Sequence, residues 1–187
     1  MIFNVGKCKV MHFGRSNPGN VYSMKNQILE HTNLEKDLGV VITSDLKSLQ
    51  QCIQAYTKVN KILGMIKRTI AYKSTGILLQ LYKSLVRPHL EYCTAAWTPH
   101  YQKDKKLLER IQRRFTRMIP SLRQLPYEMR LKSLNLWSLE NRRVRADLIE
   151  VFKMFRGLSA VDIGTFFERD KLGRTRGHTL KLKKDEW

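Results

Sequence analysis

Over residues 1–43 apolar and polar positions alternate in short runs, the period of a strand. Cys8-Lys9-Val10-Met11-His12-Phe13 is the first run, and Gly14-Arg15-Ser16-Asn17-Pro18-Gly19-Asn20 closes it with a dense turn signal. Val21-Tyr22-Ser23-Met24 and Gln27-Ile28-Leu29 follow, then Leu38-Gly39-Val40-Val41-Ile42-Thr43, whose β-branched side chains suit a pleated surface. The pattern predicts a small antiparallel β-ribbon of three or four strands, too thin to stand without a packing partner.

From Ser44 the period changes to about 3.5 residues, and residues 44–156 read as a helical bundle. Leu49, Cys52, Ile53, Tyr56, Val59, Leu63, Ile66 and Ile70 form one apolar stripe, with Gln50, Gln54, Lys58, Lys61 and Lys67 opposite. Ser44 and Asp45 are its expected N-caps. Thr75 is expected to cap a second helix that turns Ile77, Leu78, Leu81, Tyr82, Leu85 and Val86 inward. Pro88 has no N–H to donate and crowds the preceding turn, so a kink or a fresh start is predicted there. The pattern then resumes through Leu90, Tyr92, Cys93 and Ala96 and stops at Trp97-Thr98-Pro99.

A third helix is predicted over residues 103–119, with Leu107, Leu108, Ile111, Phe115 and Met118 on its apolar face and Pro120 after it. Pro126 suits the first position of a short fourth helix carrying Met129, Leu131 and Leu134. Ser138 opens a fifth, with Leu139, Val144, Leu148, Val151, Phe152 and Phe155 apolar and Gly157 at its end. Beyond Gly157 the period dissolves into an irregular basic tail, residues 157–187, whose one alternation is Leu180-Lys181-Leu182-Lys183. The expected fold is α+β and predominantly α: ribbon, bundle, tail. Its core should bring Leu63, Ile66, Leu81, Leu85, Ile111, Phe115 and Leu148 together.

Charge narrows the function. The 187 residues hold 35 Lys and Arg against 16 Asp and Glu, a net charge of +19. That is beyond the magnitude of about 2–8 that solubility asks of a small domain, and it points to a polyanionic partner, nucleic acid first. Cysteines at 8, 52 and 93 are odd in number and far apart, which argues against a disulfide framework and for a reducing compartment. No apolar stretch reaches the ~18–20 residues of a membrane span, and no leader-like apolar region opens the chain. A soluble, intracellular protein, nuclear or cytoplasmic and without a membrane partner, is expected.

Catalytic patterns are missing. Two-metal phosphoryl chemistry needs converging carboxylates. Glu30, Glu35, Asp37 and Asp45 are scattered, and Glu35-Lys36-Asp37 reads as a solvated turn. There is no phosphate loop, nucleophile elbow or HExxH string. Cys8 with His12 and His89 with Cys93 could be assembled on paper into a Cys₂His₂ set, but buried thiols and ordinary histidines account for them better. No catalytic residue, metal site or cofactor is expected in this chain.

The strongest signal lies between residues 103 and 156, where five Lys and ten Arg face two Asp and four Glu, a net of +9. Arginine's planar fork suits bidentate contact with phosphate. A charge run is often only a solvated face. Here Arg110, Arg113, Arg114 and Arg117 share just Glu109 as an acidic neighbour, so the face repels itself unless an anion lies on it. The candidate nucleic-acid-binding residues are Lys106, Arg110, Arg113, Arg114, Arg117, Arg142, Arg143 and Arg145. Tyr72, Trp97 and Tyr101, near helix ends, are candidates for exposed base stacking.

Several strings resemble one family. Asn4-Val5-Gly6-Lys7-Cys8-Lys9-Val10-Met11-His12-Phe13-Gly14 resembles the segment after the catalytic loop of non-LTR (LINE-type) retrotransposon reverse transcriptases, and Glu35-Lys36-Asp37-Leu38-Gly39-Val40 resembles the next block. Tyr82-Lys83-Ser84-Leu85-Val86-Arg87-Pro88-His89-Leu90-Glu91-Tyr92-Cys93 with Ala96-Trp97, Leu108-Glu109-Arg110-Ile111-Gln112-Arg113-Arg114, and Leu125-Pro126-Tyr127-Glu128 with Arg130-Leu131 follow in family order. The likeness covers about residues 4–184 and is nearest to the jockey-like group.

The resemblance implies that residues 1–43 are the end of a palm with its primer-grip-like ribbon, and residues 44–156 a thumb that holds template–primer. The parent activity is RNA-directed DNA polymerisation with Mg²⁺. The Tyr-x-Asp-Asp loop and the earlier metal-binding Asp of the family are not in this sequence, so the expectation is an inactive fragment, truncated at both ends. Its residual role is then non-specific binding of RNA, DNA or RNA–DNA hybrid through phosphate contacts. The missing remainder of a reverse transcriptase is a second candidate partner. The alternative is an inert, domesticated or incidental product acting as a protein-interaction module.

Overall fold

Paired short strands precede seven α-helices in the computed structural model, which describes residues 3–14, 16–168 and 181–183. The fold is α+β and predominantly helical, as the two periodicities require. The strands are β1 (Lys9–Val10), β2 (Ser23–Met24), β3 (Gln27–Ile28), β4 (Glu30–His31), β5 (Leu34–Asp37) and β6 (Val40–Thr43). β2–β3 and β5–β6 are antiparallel hairpins, whereas β1 lies parallel to β4, so the ribbon is three separate pairs and not one antiparallel sheet. The reason is local. Lys25 and Asn26 both take positive φ, 51° and 61°, and close β2 onto β3 as a two-residue turn. That returns the chain so that β4 runs beside β1 in the same direction.

Glu35-Lys36-Asp37, expected as a turn, is strand β5, with Lys36 opposite Val41 and Asp37 opposite Val40. The turn falls on Leu38 and Gly39, at φ 44° and 86°. Val40, Val41 and Thr43 of β6 are buried, and the Val41 N–H donates to Gln51 Oε1 at 2.9 Å. The thin hairpin is thereby fixed to the first helix.

That helix, α1 (Leu49–Thr69), buries Cys52, Ala55, Val59, Leu63 and Ile66. It starts later than Ser44 and Asp45 suggested. Asp45 is used in the preceding turn, accepting from Thr43 Oγ1 at 2.7 Å and Lys47 N at 3.1 Å, while Leu46 takes φ 54°. Ser74, not Thr75, caps α2 (Thr75–Leu81), accepting from Ile77 N at 3.3 Å. A π-helical turn over Tyr82–Val86 leads into α3 (Arg87–Glu91), with Pro88 in its first turn, where a missing N–H costs little. Cys93 at φ 52° turns the chain into α4 (Thr94–Trp97).

α5 (Gln102–Arg117), α6 (Tyr127–Ser133) and α7 (Leu139–Phe155) follow. Leu63, Leu78, Tyr82, Val86, Leu90, Leu108, Ile111 and Phe115 form the centre of the core, each at most 1% exposed. Tyr82 stacks on Phe115 with ring centroids 4.1 Å apart. Two expected core members are not in it: Leu85 is 41% and Leu148 65% exposed. Leu85 lies on the π-turn, whose wider winding rotates it off the inward stripe. On α7, Val144, Leu148 and Phe152 form an apolar stripe in which each residue is more than half exposed.

The chain divides into two units, Met1–Arg143 and Val144–Trp187, so ribbon and first helices belong to one unit and the division falls inside α7. In the second unit, Asp162 Oδ2 accepts from Gly164 N at 2.8 Å to open a short 3₁₀ turn, Ile163–Thr165, and Lys183 N donates to Glu168 O at 2.8 Å. Of the expected irregular tail, residues 169–180 and 184–187, Leu180 included, lie outside the described residues. Among the described residues no helix is long and apolar enough to cross a membrane.

Candidate nucleic-acid interface

The helical advance of about 100° per residue sorts the side chains of α5 into two arcs. Leu108, Ile111, Gln112, Phe115 and Thr116 are buried. Lys106, Arg110, Arg113, Arg114 and Arg117 occupy the opposite arc, and all five are exposed. Among the described residues none of these five makes a salt bridge. Glu109, the acidic neighbour of the four arginines on the helix, is turned away. It accepts hydrogen bonds from the Tyr127 hydroxyl and from Leu139 N, the latter at 3.0 Å, so it caps α7 from a distance. Burial pushes the Glu109 carboxyl above its ordinary value, against the pull of the Tyr127 hydroxyl and Arg113.

Two of the arginines are braced. The Arg113 guanidinium lies over the Tyr127 ring, 4.1 Å from its centroid. Arg114 Nη1 donates to Asn60 Oδ1 of α1 at 2.6 Å. Beneath them sits Arg130 of α6, only 3% exposed, which donates from Nη1 to Arg113 O at 3.2 Å and to Thr116 Oγ1 at 2.9 Å. Its Nε has no partner. Burial first, then the Arg117 and Arg113 charges, pull the Arg130 guanidinium below its ordinary value, with Tyr127 and Glu128 opposing. Three guanidinium groups therefore repel one another at one end of α5. An anion laid over that end would relieve the repulsion.

A buried hydrogen-bonded chain holds this face in place. Tyr82 donates to Gln112 Oε1 at 2.6 Å, and Gln112 Nε2 donates to Tyr127 Oη at 3.2 Å and Trp137 O at 2.8 Å. Tyr127 closes the chain on Glu109. α5, α6 and the start of α7 are locked in register by side chains the helical periodicity alone does not distinguish. The usable signal was Gln112, a polar residue in the middle of the Leu108/Ile111/Phe115 arc.

The other predicted binding residues lie elsewhere. Arg142 makes a bidentate pair with Glu91, with Nη2 to Oε2 at 2.8 Å, and Arg87 adds a contact to the same carboxylate at 3.7 Å. Arg143 is 5% exposed, donates to Leu90 O at 2.6 Å and lies 4.2 Å from the Trp97 ring centroid. Both fasten the start of α7 to α3 and α4. Arg145 is exposed and belongs to the second unit. Of the stacking candidates Tyr72 and Tyr101 are exposed, but Trp97 is buried, its Nε1 donating to Tyr92 O at 2.7 Å. The π-turn and the left-handed Cys93 swing Trp97 under Arg143, so it has no face for a base.

The two metal-ligand pairs considered from sequence do not meet as one set: among the described residues no group of three or more His, Cys, Asp or Glu could hold an ion. His12 instead stacks on His31 at 5.1 Å. The arrangement on α5 gathers five exposed basic side chains on one arc of the helix. In comparisons with known proteins, no family model, no curated protein and no solved structure matches this chain.

Proposed function

We propose that this chain binds nucleic acid through the basic face of α5, as the thumb-like region of a non-LTR retrotransposon reverse transcriptase would. The observation that carries the reading is the face itself: Lys106, Arg110, Arg113, Arg114 and Arg117 exposed together, without a salt bridge among the described residues, over a rigid buried support. The family-like order of sequence blocks supports the assignment to a reverse transcriptase. Binding to phosphates is salt-sensitive and nearly blind to base sequence. The chain itself is not expected to polymerise; Mg²⁺ and catalytic carboxylates belong to the parent enzyme.

Fluorescence anisotropy with an RNA–DNA hybrid, a DNA duplex and an RNA duplex, each in two unrelated sequences, tests this. All six should bind within a few-fold of one another and weaken as salt rises. Binding that depends on sequence, or that ignores salt, would overturn the proposal. The protein-interaction alternative draws on the exposed Val144/Leu148/Phe152 stripe. It would be preferred if none of the six probes bound at low salt.

A further inference from the structure

Arg113 is held differently from the other arginines of α5. Its guanidinium lies 4.1 Å from the Tyr127 ring centroid, and its backbone carbonyl accepts from Arg130 Nη1 at 3.2 Å. Among the described residues that guanidinium makes no hydrogen bond and no salt bridge. A guanidinium held by its flat face keeps the N–H donors of its edge for another partner. Arg114 commits one donor to Asn60, and Arg142 and Arg143 commit theirs to Glu91 and the Leu90 carbonyl. Arg110 and Arg117 make neither a hydrogen bond nor a ring contact among the described residues, so a ligand has to order them.

The ring under Arg113 is itself fixed. Tyr127 opens α6, is 7% exposed, and has Arg130 as a second cation 5.4 Å from its centroid. Its hydroxyl donates to Glu109 and accepts from Gln112 Nε2 at 3.2 Å. Glu109 precedes Arg113 by four residues on α5, about one helical turn. The helix that presents the arginine therefore also anchors the ring the arginine rests on.

We propose, resting on the reading that α5 meets nucleic acid, that Tyr127 is a positioning residue holding Arg113 as a preformed fork for one backbone phosphate. Ordering a long side chain on binding costs conformational entropy, and a guanidinium already stacked on a ring has lost much of it beforehand. Both roles need a planar cation: the face stacks on the ring while the edge pairs with two phosphate oxygens. A lysine cannot do this. Arg110, Arg114 and Arg117 add charge, whereas Arg113 adds a fixed contact that sets where the backbone crosses the helix.

Arginine side-chain NMR of the full chain reads the positioning without a ligand. The Tyr127 ring current should move the Arg113 Hε resonance upfield of those of Arg110 and Arg117. Tyr127→Phe, which keeps the ring, should retain most of that shift, and Tyr127→Leu should abolish it. No such shift in the parent would overturn the proposal whatever the chain binds. Anisotropy with an RNA–DNA hybrid reads the consequence. Tyr127→Leu should weaken binding about three- to tenfold, the scale of one side chain left to be ordered, and Tyr127→Phe only about twofold. In an Arg113→Gln background Tyr127→Leu should have no further effect, whereas in an Arg110→Gln background its effect should persist in full. A loss of equal size in both backgrounds would mark Tyr127 as a brace of the fold alone and overturn the proposal. Arg113→Lys leaves the buried chain intact and carries the test if Tyr127→Leu does not fold. It should weaken the hybrid about three- to tenfold with an unchanged salt slope, and unchanged affinity would overturn the proposal. A parent that shows the NMR shift but binds no hybrid would sink the nucleic-acid reading itself, and the positioning role with it. Hybrid binding without coupling between Tyr127 and Arg113 would sink the positioning role alone.

Discussion

Replacing Gln112 by Leu keeps much of the side-chain volume and removes the hub of the buried chain beneath α5. Gln112 is 1% exposed and Tyr82 0%, so the Tyr82 hydroxyl, which donates to Gln112 Oε1 at 2.6 Å, would face apolar surroundings without an acceptor. A buried polar group left unmade costs about 1–3 kcal/mol. The apolar surface gained by Leu returns part of it, on the order of 1 kcal/mol. The Trp137 carbonyl also loses the Gln112 amide donor at 2.8 Å. The expected net loss is about 2 kcal/mol.

Tyr82→Phe alone leaves Gln112 Oε1 short of its donor and should cost about 1–2 kcal/mol. In the Gln112→Leu background, however, the same change removes the stranded hydroxyl and should cost nothing or restore stability. The double-mutant cycle should therefore show a coupling of about 1–2 kcal/mol. Urea unfolding followed by helical circular dichroism, with the slope held constant across the four proteins, measures it. Additive losses, or Gln112→Leu within about 0.5 kcal/mol of the parent, would refute the claim that this hydrogen bond is buried and made.

Phe115 is 1% exposed and stacked on Tyr82, so Phe115→Ala should cost about 3–5 kcal/mol in the same unfolding assay, and a loss well below that would remove it from the core. Burial raises the folded Glu109 carboxyl above its ordinary value of 4.5, so just above that pH the folded state holds more proton than the unfolded one and stability falls as pH rises through the window. Glu109→Gln should flatten that decline in urea midpoints measured across it; an unaltered profile would contradict the raised value. Cys52 is 0% exposed and burial pushes its thiol up to about 11, whereas Cys93 is exposed. Iodoacetamide on the native protein should label Cys93 well before Cys52, as resolved by peptide mass mapping, and equal rates would count against the packing of α1.

Helix positions were legible because long amphipathic stretches bury what their period dictates: the Cys52/Val59/Leu63/Ile66 stripe of α1 and the Leu108/Ile111/Phe115 stripe of α5 are where the spacing put them. Ends were less legible, because Asp45 serves a turn and Ser74 caps in place of Thr75. Antiparallel pairing was legible for the β2–β3 and β5–β6 hairpins, but the parallel pairing of two-residue β1 with β4 was not, since strands that short carry no register signal of their own. The basic face of α5 could be read from periodicity plus the shortage of acidic neighbours. Arg142 and Arg143 could not be separated from it in the sequence, because the partners that occupy them, Glu91 and the Leu90 carbonyl, are 51 and 53 residues distant. Charge composition shows that arginines are many; only tertiary contacts show which are engaged.

The salt dependence of hybrid-duplex binding tests the central claim most directly. Arg110, Arg113, Arg114 and Arg117 lie within about two helical turns and can approach one phosphate backbone together. Each phosphate contact contributes about −0.9 to the slope of log K against log salt on a duplex. Changing all four to Gln, a good helix former that leaves the buried arc intact, should preserve the circular dichroism spectrum and reduce the slope by about two to four units. A folded quadruple variant with unchanged affinity and unchanged slope would show the arginines to be solvated surface, and would contradict the account.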